Sequence, residues 1–205
     1  MTKTRSPAPQ LRGPSDHDVR HQIVEAATEY FGLYGYEKTT VSDLAKAIGF
    51  SKAYIYKFFD SKQAIGEVIC SNRLSAIMAA VDEAVADVSS ASERLRRMFG
   101  ALVEAGSHLF FNDRKLYDIA ATSASESWPS VRAYEDHLRN LVLQILRDGR
   151  ESGEFERKTP LDEAANAIFL VMRPYINPLL LQHNLDNAAE ATRHLSSLIL
   201  RSLAP

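Results

Sequence analysis

The stretch TVSDLAKAIGFSKAYIYKFFDSK, residues 40–62, decides how this chain is read. It opens on Thr40 with Asp43 three residues on, a pair that can cap a helix start reciprocally. Val41, Leu44, Ala45 and Ile48 then recur at helical spacing on one face, and Gly49 stands where a short helix would end. Ser51 can cap a second short helix, expected over Lys52 to Phe58. Two short capped helices joined by a glycine turn pack near a right angle. That leaves the outer face of the second free to enter a DNA major groove. The inner face needs small and apolar side chains, which Ala45, Ile48, Ile55 and Phe59 supply. The outer face needs groups that reach phosphates and base edges; Ser51, Lys52, Tyr54, Tyr56 and Lys57 supply those. Helix N-termini add free backbone N–H groups for phosphate, and Thr40 and Lys62 stand at two such starts.

Upstream, Ser15 with Asp18 forms a similar cap, and Val19, Ile23, Ala27, Phe31 and Tyr34 recur at helical spacing as far as Gly35. Residues 1–14 hold three Pro, one Gly and three basic residues with no apolar period, the pattern of a disordered, weakly basic arm. Downstream, Asp60 with Gln63 resembles a D-x-x-Q cap. It would open a long helix through Ile65, Ile69, Val81 and Val85 that ends at Ser89-Ser90-Ala91-Ser92. Further helices are expected at about 92–110, 113–126, 130–152, 160–182 and 185–203. Pro174 and Pro178 predict a kink or a split in the penultimate one. No segment shows sustained period-two alternation, so the chain reads as all-α.

Composition is that of an ordinary globular protein, 45% hydrophobic and 24% charged. No apolar run approaches the ~20 residues of a membrane span, and the N-terminus lacks the apolar segment of a secretory signal. The single cysteine, Cys70, excludes an internal disulfide and reads as a buried, inert thiol. Together these features point to a cytoplasmic protein with no membrane partner. The net charge of -2 does not advertise a nucleic-acid binder, yet residues 1–62 carry a net +2 and residues 63–205 a net -4. The chain has no G-x-S-x-G, phosphate-binding loop, G-x-G-x-x-G or metal-ligand cluster, so no enzyme, cofactor or metal site is expected. His17 and His21 are four apart, but on a face expected to be exposed.

Residues 36–65, YEKTTVSDLAKAIGFSKAYIYKFFDSKQAI, resemble the tetracycline-repressor (TetR) family of bacterial regulators. Gly35-Tyr36, Thr39-Thr40, Leu44-Ala45, Gly49-Phe50-Ser51, Ile55-Tyr56, Phe59 and Ser61-Lys62 fall in register with that family's pattern, as do Ile23, Ala26-Ala27 and Phe31 before it. A weaker match, GRESGEF at 149–155, resembles the end of the family's seventh helix. Ala53, Lys57 and Phe58 depart from the family's frequent Gly, Tyr and His, and such changes bear on which operator is read.

The resemblance implies an N-terminal three-helix helix-turn-helix DNA-binding domain over 15–62, after the arm 1–14, and a helical effector-binding and dimerisation domain over 63–205. It implies phosphate contacts for Thr40 and Tyr56, a backbone anchor at Lys62, and base-edge contacts for Lys52, Ala53, Tyr54 and Lys57. The function implied is that of a dimeric transcriptional repressor released from a palindromic double-stranded DNA operator by a small-molecule effector. The alternative is a ligand-independent DNA-binding protein. A homodimer would form through the last two helices, where Ala164, Ala167, Ile168, Val171, Leu195, Leu198 and Ile199 offer small and apolar faces. Aromatic residues crowd the middle helices, among them Phe99, Phe111, Tyr117, Trp128 and Tyr134; they read as core first and as effector lining second. The long helix starting at Lys62 runs into the sensing body, so a shift at its far end would swing the DNA anchor.

Overall fold

The computed structural model describes residues 15–205; the expected arm at 1–14 lies outside the described residues. Among the described residues the chain forms ten α-helices, one 3-10 turn and no strand. The first four are α1 (Asp16–Tyr34), α2 (Val41–Ile48), α3 (Lys52–Ile55) and α4 (Lys62–Ala86). Then come α5 (Ala91–Asn112), α6 (Arg114–Ser125) and α7 (Pro129–Glu151). The chain closes with α8 (Leu161–Ile176), α9 (Pro178–Leu181), the 3-10 turn Leu185–Asn187 and α10 (Ala188–Ser202).

Local hydrogen bonds set most of these limits. Ser15 and Thr40 each form a full capping box, with Asp18 and Asp43 as the returning carboxylates. The bonds from Ser15 and Thr40 hold both carboxyls below their usual range. Gly49 ends α2 in the left-handed conformation, φ 76, which a side chain would strain. Two sequence expectations fail here. The second short helix stops at Ile55 rather than Phe58, because Tyr56-Lys57-Phe58-Phe59-Asp60 is poor in helix formers. The chain tightens instead to three-residue turns, with the Lys57 and Phe58 N–H groups on the Tyr54 and Ile55 carbonyls at 3.2 and 2.9 Å. The cap of α4 is Ser61, not Asp60: its hydroxyl accepts from the Ala64 N–H at 3.0 Å.

By length and composition alone α4 could cross a membrane, against the expectation that no run would. Here its buried side chains, among them Ile65, Ile69, Leu74 and Val81, pack toward the neighbouring helices, chiefly α5 and α7. Helix α1 crosses α2, α4 and α6, α7 lies on α8, and α10 on α5 and α8. One continuous apolar core runs through these contacts, from Val19 to Leu203. The expected helix at 160–182 splits at Asn177: Pro178, without an N–H, opens α9, and the Asn177 side chain accepts from the Leu179 N–H at 3.0 Å. The last helix starts at Ala188 rather than 185, after the 3-10 turn.

The GRESGEF stretch is a structural device. Phe155 is buried against Gly149, where a Cβ would stand 2.1 Å from the ring. Glu154 caps α5 across the chain, its carboxylate accepting from the N–H groups of Ala91 and Ser92 at 2.9 and 3.0 Å and from the Ser90 hydroxyl at 2.8 Å. Desolvation pulls this carboxyl upward, but those bonds outweigh it and lower the pKa from 4.5 to about 2.

Candidate nucleic-acid interface

The glycine turn carries the chain from α2 into α3, and the inner face closes as its composition requires. Ala45, Ile55 and Phe59 are buried and Ile48 is half-buried. On the outer side Ser51, Lys52, Ala53, Tyr56 and Lys57 are exposed, Tyr56 at 42%. Ser51 uses its hydroxyl to cap α3, accepting from the Tyr54 N–H at 3.1 Å. The Lys52 ammonium lies 5.8 Å from the Tyr56 ring centre and that of Lys57 lies 5.4 Å from the Tyr54 ring. Two cations, Lys52 on α3 and Lys57 in the turn after it, each near an aromatic face, make a small basic surface.

Tyr54 is placed differently from its neighbours. It is half-buried, with its ring edge-on between Phe50 and Phe58 at centroid distances of 5.0 and 5.3 Å. Thr40 is exposed at the start of α2, where its hydroxyl donates to Asp43 Oδ2 at 2.6 Å. Lys62 is the first residue of α4 and is half-buried. Its Nζ donates to the Tyr36 carbonyl at 3.0 Å and lies 4.2 Å from the Tyr36 ring centre. Burial pushes the Tyr36 phenol up to about 12, so it stays neutral beside that cation.

One residue of this surface escaped the sequence reading. Arg20 of α1 lays its guanidinium over the Phe59 ring at 4.3 Å and donates to the Phe58 carbonyl, closing the end of the turn that follows α3. The two residues are 38 positions apart, so no local pattern announces the contact.

Comparison with known proteins fits this geometry. Residues 23–68 match the family described as bacterial regulatory proteins, tetR family, and residues 91–194 match the tetracyclin repressor-like C-terminal domain. The chain belongs to the TetR family of bacterial regulators. It is a DNA-binding transcription regulator, and its helix-turn-helix is α2–α3. Among TetR-family relatives, it is 30% identical over 151 residues to the HTH-type transcriptional repressor DhaR of a Mycobacterium species, covering 72% of this chain and 75% of that one. The TetR-family regulator PfmR of Thermus thermophilus superposes with a TM-score of 0.58 at 30% identity, over 87% of this chain and 97% of that one. The fold is also that of FadR from Bacillus subtilis in complex with stearoyl-CoA, with a TM-score of 0.65 at 19% identity, over 89% of this chain and 98% of that one.

Beyond α3, the TetR chain packs its middle aromatics as core. Phe99, Tyr117, Trp128 and Tyr134 are buried, and burial raises both tyrosine phenols, Tyr117 to about 12. Phe111 is the exception at 70% exposed. The space enclosed by Leu74, Tyr134 and Pro178 amounts to about 10 Å³, while a groove of about 480 Å³ opens between α4 and α5. Cys70 is buried, donates to the Ser123 hydroxyl at 3.1 Å, and has its thiol pushed up by burial. On α8 and α10 the expected pairing faces divide. Ala164, Ile168 and Ile199 are buried in the chain's own core, Leu195 is half-buried, and Ala167, Val171 and Leu198 are exposed, the last at 55%.

Proposed function

We propose that the chain is a dimeric repressor that holds a palindromic operator through α3 and gives it up when a small-molecule effector binds the helical body. Residues 15–62 form the DNA-reading unit and residues 63–205 the sensing and pairing unit. Repression is the sign named for DhaR and is carried to this chain by likeness. The observation that carries the DNA reading is the outward basic face of α3, set beside the starts of α2 and α4. Lys52, Ala53 and Lys57 read base edges, with Tyr54 at their margin because its ring is packed. Ser51, Thr40, Tyr56 and Lys62 lie against phosphates, where helix N-termini favour anions.

The pairing face is the exposed strip of Ala167, Leu170, Val171 and Leu198 on α8 and α10. Two copies are needed because recognition helices of this kind enter successive major grooves about 34–36 Å apart. The ligand-independent alternative is favoured by one observation. The space between Leu74, Tyr134 and Pro178, about 10 Å³, barely admits one water. An effector would have to widen that space or use an open groove, of about 480 Å³ between α4 and α5 or about 500 Å³ between α5 and α10.

Selection of duplexes from a random pool tests the proposal. An inverted repeat with half-site centres about one helical turn apart is expected. Enrichment of no sequence, or of isolated half-sites, would contradict it. Repeating the selection with candidate small molecules separates an effector-released repressor, which loses the repeat, from a constitutive binder, which keeps it.

A further inference from the structure

Trp128 is the one tryptophan of the chain, and it is sealed in the turn between α6 and α7 at 1% exposed. Its indole N–H donates to Glu126 Oε2 at 2.7 Å. Its ring meets the Tyr36 ring edge to face, with centroids 5.9 Å apart. Tyr36 belongs to the turn between α1 and α2, just before the Thr40 cap. Tyr36 also holds Lys62, whose ammonium lies against the Tyr36 ring and donates to the Tyr36 carbonyl. Helix α4 passes both aromatics at Gly66, where a Cβ would stand 2.9 Å from the Tyr36 ring and 3.1 Å from that of Trp128. One residue further, Glu67 accepts from the Ser130 N–H at 2.6 Å and its hydroxyl at 3.0 Å, tying the start of α7 to α4.

These contacts join the body to the two helix starts assigned to phosphate. We infer that Trp128 is a positioning residue for DNA binding: through Tyr36 it fixes Lys62 and the start of α2, so the arrangement of α6 and α7 sets the affinity of the head. The inference rests on the reading of α2–α3 as the DNA-binding element. The physical reason is the absence of slack. Close-packed groups pass a displacement on rather than absorb it, and Gly66 shows that this seam lacks room for even one methyl. A displaced indole moves Tyr36, and Tyr36 carries the carbonyl that holds Lys62. A two-state rearrangement of the body then becomes a change in DNA affinity. If Trp128 were core packing alone, disturbing the seam would cost stability and nothing more.

A matched pair of variants separates the two. Gly66→Ala crowds the seam. Gly106→Ala crowds the body elsewhere, its Cβ 2.7 Å from the Leu181 side chain. Both are made in the full chain, unfolded in urea to measure their stability, and titrated with a labelled duplex selected by the wild type. Gly66→Ala is expected to lose tenfold or more in affinity with a lower salt slope, because Lys62 and the start of α2 are moved off their phosphates. Gly106→Ala is expected to stay within twofold of the wild type. Trp128→Phe, which keeps an aromatic edge, should bind better than Trp128→Leu. In the wild type, Trp128 emission should change with the same midpoint as the duplex titration. The inference is overturned if Gly66→Ala binds like the wild type. It is also overturned if Gly106→Ala loses as much affinity, if the Phe and Leu variants bind alike, or if duplex leaves the emission unchanged. A wild type that enriches no duplex at all overturns the DNA reading itself, and this inference with it.

Discussion

Gly149 has no space for a side chain: a Cβ there would stand 2.1 Å from the Phe155 ring, and Phe155 is 2% exposed. Gly149→Ala must push the ring out of its seat or bend the end of α7. Overpacking of this kind costs about 1–3 kcal/mol, which urea unfolding would detect; an unchanged midpoint would mean that Phe155 is not seated there. At the DNA face, Lys62 and Tyr56 are assigned to phosphate. Lys62→Ala should weaken binding to every sequence and lower the slope of log affinity against log salt by about one unit. Tyr56→Phe, which removes a neutral donor, should weaken binding with little change in that slope. A shift in the preferred sequence for either variant would show base contact instead. Much of this surface was legible residue by residue. Ser51, Lys52, Tyr56 and Lys57 are exposed because polar residues opposite an apolar face have nowhere else to go. Tyr54 was not legible, since its burial depends on Phe50 and Phe58 closing around it. Nor were the contacts of Lys62 and Arg20, whose carbonyl partners lie 26 and 38 residues away.

Helix starts were read well at Ser15, Thr40 and Ser51, because the bonds close within three residues. Asp60 and Ser61 are both able to cap, and Gln63 pointed to the wrong one. The break at Asn177 was signalled by Pro178, which cannot donate in a helix interior. The carboxylate cap of α5 was invisible in sequence, since Glu154 arrives 64 residues after Ser90. It carries a pH prediction. The folded-state pKa lies near 2 against an ordinary 4.5. Its contribution is therefore complete above about 4.5 and is lost as the pH falls toward 2. Glu154→Gln should cost about 1–2 kcal/mol at neutral pH, after allowance for solvent screening, and should approach the wild type near pH 2.5. Parallel urea unfolding at the two pH values checks this; a gap that stays constant with pH would mean the carboxylate charge is not what caps α5.

Across the whole molecule, the all-α architecture followed from helical periodicity and the DNA-reading head from two short capped helices. The exposure of the faces expected to pair was only half legible. Small and apolar residues on α8 and α10 fit either an inner or an outer face, and the structure buries Ala164, Ile168 and Ile199 while exposing Val171 and Leu198. Leu198→Glu places a charge on the exposed strip. It should weaken self-association in sedimentation experiments and operator affinity in step, leaving the monomer folded. A monomer that still binds the full inverted repeat tightly would remove the dimer from the account. The central claim is that α3 and the turn after it read sequence. The measurement that tests it most directly compares the wild type with Lys52→Ala and Lys57→Ala on the selected duplex and on a scrambled one at fixed salt. Each variant should lose about 1–3 kcal/mol on the selected duplex and distinctly less on the scrambled one; equal losses on both would contradict the claim and leave these lysines as phosphate contacts only.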